Sequence, residues 1–136
     1  MSLDAVAKKI ARILEYVGIL ENLRENCVER MKSDKVYRGS VLYYLYMTAD
    51  SCVALAEMII KLKNLRKPQS YAEAIDILGE SRILPDDFAY EFARIAGFRN
   101  FLAHDYEKIN YEDICQVMLQ KLDEVKKYVA YLESSI

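Results

Sequence analysis

Four residues near position 100 combine side chains that could do chemistry: Arg99, Asn100, His104 and Tyr106. His104 is the only histidine in 136 residues. Its ordinary pKa of ~6.5 lets it take and return protons near neutrality. Arginine is always charged and grips phosphate through a planar fork of donors, and asparagine can orient a phosphate oxygen or an imidazole. Without metal ligands beside them, these groups would suit cleavage of RNA by its own 2′-hydroxyl, with imidazole as base or acid. Such a reaction uses both an acid and a base, so a single histidine points to a two-fold dimer with two copies of His104 at one cleft. A plainer reading makes His104 a cap whose charge complements a helix C-terminus. Arg99 is then a surface ion-pair partner.

The elements must bring these groups together. On a continuous helix Asn100 and His104, four apart, share a face. Arg99 lies five positions before His104, roughly 140° round the axis, so the two heads do not converge automatically. They meet if the arginine reaches round, or if the helix bends or ends near Ala103. Gly97 makes a local distortion cheaper. Tyr106, seven after Arg99, returns to the arginine's side.

Apolar residues make up 53% of the chain and charged residues 29%, which places it among globular proteins. Its length fits one domain, residues 1–136, with a proper core. Four glycines and two prolines leave few places for turns, which favours long helices. A net charge of −2 gives no global field to attract polyanions, so a nucleic-acid site must be local, and DNA is not expected as a partner. Cys27, Cys52 and Cys115 are far apart, odd in number and without a CxxC pair, so they read as reduced core residues rather than a disulfide framework or a zinc site. Lys8, Lys9 and Arg12 interrupt the first apolar stretch, which excludes a signal-peptide pattern and makes the cytoplasm the expected compartment.

Leu3, Val6, Ile10, Ile13, Val17, Leu20, Cys27 and Met31 form the inner face of a first helix over 3–31. Asp34 can cap the next, from about Val36 to Arg66, where only Asp50 and Glu57 are charged between Gly39 and Ile60. Its longest uncharged run, from Gly39 to Ala49, is too short for a membrane span, which needs ~20 apolar residues. The helix is therefore buried on most sides, either centrally or against a second subunit, and Tyr43, Tyr44 and Tyr46 suit an interface or a core equally. Lys67-Pro68 stops it. Ser70 and Glu73 form a capping box for a short helix that Gly79 can close. Pro85 at a first helical position, with Asp86 and Asp87, opens a helix with Phe88, Phe92 and Ile95 inside, running into the key stretch. Asn110 caps a last helix with the stripe Ile114, Met118, Leu122, Val125, Val129 and Leu132. The expected fold class is all-α: an up-and-down bundle of four long helices and one short one, dimeric.

The string Arg99-Asn100-Phe101-Leu102-Ala103-His104-Asp105-Tyr106 resembles the R-N-x-x-x-H-x-Y signature of HepT-like toxins, and its spacing matches the R-x4-6-H motif of HEPN domains. The resemblance extends to Pro68-Gln69-Ser70-Tyr71, Ile83-Leu84, Gly97-Phe98 and the apolar helix around Asp50, so it covers most of the chain. It implies a dimeric HEPN-like bundle with ribonuclease activity; the Arg-Asn-His set fits metal-independent endoribonuclease chemistry, and no cofactor is expected. It also implies a minimal nucleotidyltransferase (MNT) antitoxin as partner. In family terms Arg99 and His104 would be catalytic, Asn100 a positioning residue, and Tyr106 the hydroxyl to which the antitoxin transfers AMP. Two other readings stand beside this one. The chain could be a non-catalytic HEPN module that binds substrate or regulates a nucleotidyltransferase, which the acidic net charge mildly favours. It could also be a helical dimer with no site.

Overall fold

The computed structural model describes residues 2–136, except the side chains of Tyr106, Met118 and Leu119. The all-α class holds: the described residues form eight α-helices and one 3-10 turn, with no strand. The helices are α1 (Leu3–Asn22), α2 (Cys27–Ser33), α3 (Lys35–Leu62), α4 (Tyr71–Glu80), α5 (Asp86–Phe92), α6 (Ile95–His104), α7 (Tyr111–Gln120) and α8 (Leu122–Ser134), with the 3-10 turn at Tyr106–Lys108. Three of the four expected long helices are thus broken rods: α1 with α2, α5 with α6, and α7 with α8. Only α3 runs unbroken. No helix among the described residues is long and apolar enough to cross a membrane.

The predicted caps form as the sequence requires. Asp34 accepts from the amides of Val36 and Tyr37, and Asn110 from that of Asp113. Ser70 accepts from Glu73, whose carboxylate reaches back to the amide of Gln69. Each satisfies a backbone donor that the first helical turn leaves without a partner. Other signals act differently. Gly79 lies inside α4 rather than ending it; the left-handed residue that turns the chain is Arg82, φ 61°. A Cβ on Gly79 would sit 2.7 Å from Cβ of Ala89, so this glycine is a point of close contact between α4 and α5. Pro85 is the N-cap of α5 rather than its first residue. Likewise α3 ends at Leu62, before Lys67-Pro68, where Asn64 turns left-handed (φ 55°).

The core gathers Val6, Ile10, Ile13, Val17 and Leu20 of α1 against Val41, Leu45, Cys52, Leu55, Ala56 and Ile59 of α3. Leu3, placed on this face by its spacing, stays exposed. The expected last stripe continues through Ile114, Leu122, Val125, Val129 and Leu132; Met118 falls outside the described side chains. Tyr128, fully buried on α8, stacks on Phe92 at 4.3 Å and donates to the carbonyl of Cys52 at 2.7 Å, pinning α8 to α3 and α5. The expectation of three reduced cysteines is corrected: Cys27 of α2 and Cys115 of α7 form a disulfide, and only Cys52 is a buried thiol. Their separation of 88 residues gives no local pattern from which pairing could be read.

Candidate functional site

The site is built on α6 and the middle of α3. After α5 the chain turns at Ala93 and Arg94, and α6 then seats Ala96 and Leu102 in the core. This packing places Arg99 against α3, and Gly97 introduces no break. The Arg99 side chain is only 17% exposed, and three of its nitrogens are engaged by the chain itself. Nε donates to Oδ1 of Asp50 at 2.9 Å, Nη2 to the Tyr46 hydroxyl at 3.1 Å and Nη1 to Oδ1 of Asn100 at 3.2 Å. The rings of Tyr71 and Tyr46 lie 5.0 and 5.4 Å from the guanidinium carbon, within cation–π range. The hydrogen bond to Asp50 above all, opposed by burial, raises the pKa of Arg99 and keeps it charged.

A guanidinium carries five N–H donors. Three bonds leave two, one on each terminal nitrogen, and a phosphate can accept from both at once. Asp50 therefore does not consume the arginine. It fixes the Nε side, and the two remaining N–H groups have no acceptor among the described residues.

The structure joins Arg99 and Asn100 directly. His104 is the last residue of α6 and is exposed. No hydrogen bond among the described residues links it to Arg99 or Asn100. The unbroken helix keeps the angular separation expected from five positions, so within one chain the arginine and the imidazole face different ways. Tyr106 opens the 3-10 turn; its side chain, and with it the expected AMP-acceptor hydroxyl, lies outside the described residues. Sequence reasoning gave no role to Asp50 or Tyr46 in holding Arg99, nor to the Tyr71 ring beside it. Asp50 carried the available signal, as one of two charges on an otherwise apolar stretch of α3.

Among the described residues, no three His, Cys, Asp or Glu side chains gather as a metal site would require. A separate cavity of about 210 Å³ lies beside the site, with Leu45, Phe92, Phe98 and Val125 in its walls. Asp50, Arg99, Asn100 and His104 do not line it.

The fold is thus an all-α bundle that carries an Arg-Asn pair braced against α3 and a histidine at the end of α6. Residues 13–132 match the family described as Ribonuclease HepT-like, and the chain belongs to that family. It is 21% identical over 131 residues to the mRNA nuclease HepT of Shewanella oneidensis, covering 96% of this chain and 98% of that one. A putative RNase of Archaeoglobus fulgidus is 26% identical over 115 residues, 85% of this chain and 83% of the relative. Among solved structures, the fold matches a tri-AMPylated Shewanella oneidensis HEPN toxin in complex with an MNT antitoxin, with a TM-score of 0.86 at 21% identity over 98% and 99% of the two chains.

Proposed function

We propose that this chain is a metal-independent endoribonuclease toxin that works as a two-fold dimer and is silenced by an MNT nucleotidyltransferase. The observation that carries the proposal is the braced Arg99, with two N–H groups left for phosphate, on the helix that ends in His104. Arg99 binds the scissile phosphate and Asn100 keeps its fork oriented. One His104 takes the proton of the ribose 2′-hydroxyl as that oxygen attacks phosphorus. The P–O5′ bond breaks, and the second copy of His104 gives the 5′-oxygen its proton. The products are a 2′,3′-cyclic phosphate and a 5′-hydroxyl. Dimerisation answers the divergence of Arg99 and His104 within one chain. It is supported by Val36 (79% exposed) and Tyr43 (55% exposed), which with Asp50 recur every seven residues along one face of α3.

The antitoxin partner and AMP transfer to Tyr106 are carried over from the family motif, and the complex of the Shewanella oneidensis toxin supports them. A cytoplasmic location belongs to the same proposal. The Cys27–Cys115 disulfide opposes it, since a reducing cytosol keeps thiols apart; trapping cellular thiols by alkylation before isolation decides between the two states. The non-catalytic alternative also has one observation in its favour, the carboxylate of Asp50 beside the phosphate-binding arginine. Incubation with total RNA separates the readings. The wild type should cut RNA in EDTA and leave 2′,3′-cyclic phosphate ends, while His104→Ala and Arg99→Ala should each lose ~10²–10⁴ in rate. Cleavage by His104→Ala at the wild-type rate would leave the imidazole as a helix cap.

A further inference from the structure

We infer that Tyr71 is a stacking seat for an RNA base next to the scissile phosphate, an inference that rests on the ribonuclease reading above. Tyr71 is the first residue of α4, held in place by the Ser70–Glu73 capping pair. Its ring lies 5.0 Å from the guanidinium carbon of Arg99 while the residue remains 39% exposed. The half-buried Tyr46 also lies against Arg99, but its hydroxyl is engaged as an acceptor from Nη2. Tyr71 is thus the more exposed ring at the arginine, within one nucleotide's reach of a phosphate gripped there.

The electrostatics of the site give this ring a task. The net charge is −2, and the carboxylate of Asp50 offsets part of the Arg99 charge. Close by, Arg66 is paired with Glu73 and Glu80. Backbone attraction, the usual source of affinity for nucleic acid, is therefore weak here. Stacking on an aromatic side chain is the sequence-tolerant alternative, and it acts on single strands, whose bases are free to leave their neighbours. Arg99 would take the phosphate and Tyr71 the adjoining base, so only unpaired RNA could engage both.

The test compares binding of two fluorescent probes: a 2′-O-methyl nonaadenylate, which cannot be cleaved, and a chain of the same length with abasic sugars throughout. The wild type should prefer the base-bearing probe. Tyr71→Ala should weaken binding to it by about 5- to 100-fold and leave binding to the abasic chain within about twofold. Tyr71→Phe, which keeps the ring, should behave as wild type. In cleavage assays on single-stranded RNA, Tyr71→Ala should raise KM by more than it lowers kcat. If Tyr71 only packed against Arg99, its loss would weaken both probes alike and lower kcat, and that result overturns the inference. A wild type without preference for the base-bearing probe also overturns it. Absence of RNA cleavage by the wild type would instead defeat the ribonuclease reading, because the binding comparison needs no catalysis.

Discussion

Asp50 is the residue whose replacement most directly tests how the site is held. Two effects of opposite sign meet there. The carboxylate orients Arg99 through Nε at 2.9 Å, and it also places a negative charge near the phosphate that Arg99 is to bind. The repulsion can be bounded: at ~7 Å, two unit charges cost ~0.6 kcal/mol in water and ~2.4 kcal/mol at an effective dielectric of 20. The Asp50 side chain is 41% exposed, so a value near the lower end, about 1 kcal/mol or fivefold in affinity, is appropriate. Orientation outweighs this, because a misplacement of about 1 Å at a reacting group can cost ~10²-fold. Asp50→Ala should therefore lower kcat/KM for RNA by roughly 10- to 100-fold, chiefly through kcat, with a stability loss of only about 1 kcal/mol. Asp50→Asn retains an acceptor for Nε and removes the charge, so it should keep kcat within a few-fold and lower KM by up to about fivefold. Steady-state kinetics on one RNA substrate, with thermal unfolding as a control, would measure both. Wild-type kcat in Asp50→Ala would refute the bracing role. Equal losses in the two variants would show that the charge itself is needed.

Other outcomes follow from separate features. Tyr106→Phe should leave the ribonuclease active but no longer silenced by an MNT nucleotidyltransferase with ATP, and mass spectrometry should find AMP on Tyr106 of the wild type; AMP only on other tyrosines would retire the assignment. Gly79→Ala should lower the melting temperature, since overpacking against Ala89 costs ~1–3 kcal/mol and exceeds the ~1 kcal/mol gained from helix propensity; a raised melting temperature would contradict the 2.7 Å approach. Burial raises the pKa of Tyr128 well above 10.0 and, less opposed by Arg30 than assisted by desolvation, also that of Tyr37. Above pH ~10 the unfolded chain loses these protons while the fold retains them, so stability is intact below that pH and falls as pH rises through the folded values, by up to ~1.4 kcal/mol per pH unit for each group. Denaturant melts from pH 9 to 11 should show a shallower decline for Tyr128→Phe; identical slopes would remove the cause from this tyrosine.

Much of the fold was legible because it is written in local chemistry. Asp34, Ser70 and Asn110 cap helices where a side-chain acceptor precedes an apolar period, and the uncharged centre of α3 marked it as the helix the others pack around. The breaks at residues 23–26, 93–94 and 121 were not legible, since none contains glycine or proline and the apolar period continues across them. Asn26, with φ 54°, turns the chain at the first of these. Gly79 misled because glycine serves both to end a helix and to let two helices touch, and only the partner element tells which. At the site, the motif supplied Arg99, Asn100 and His104, whose spacing is local. Asp50 and Tyr46 were missed because they meet Arg99 across 49 and 53 residues, and side-chain pairings at that range follow from packing alone.

The Cys27–Cys115 bond has a topological consequence. It closes α2 to α6 and the first half of α7 into one covalent ring, with Asp50, Tyr71, Arg99, Asn100 and His104 all inside it and α1 and α8 left as tails. While oxidised, this ring persists when the chain unfolds, and every pair of groups that must meet at the site is confined to the same closed circuit. For a separation of 88 residues the chain-entropy model puts the restriction at about 4–5 kcal/mol. A single peptide cut anywhere in the circuit would open it without releasing a fragment. The two halves of the site would stay tethered, whereas in the reduced protein the same cut would sever Asp50 from Arg99 whenever it fell between them.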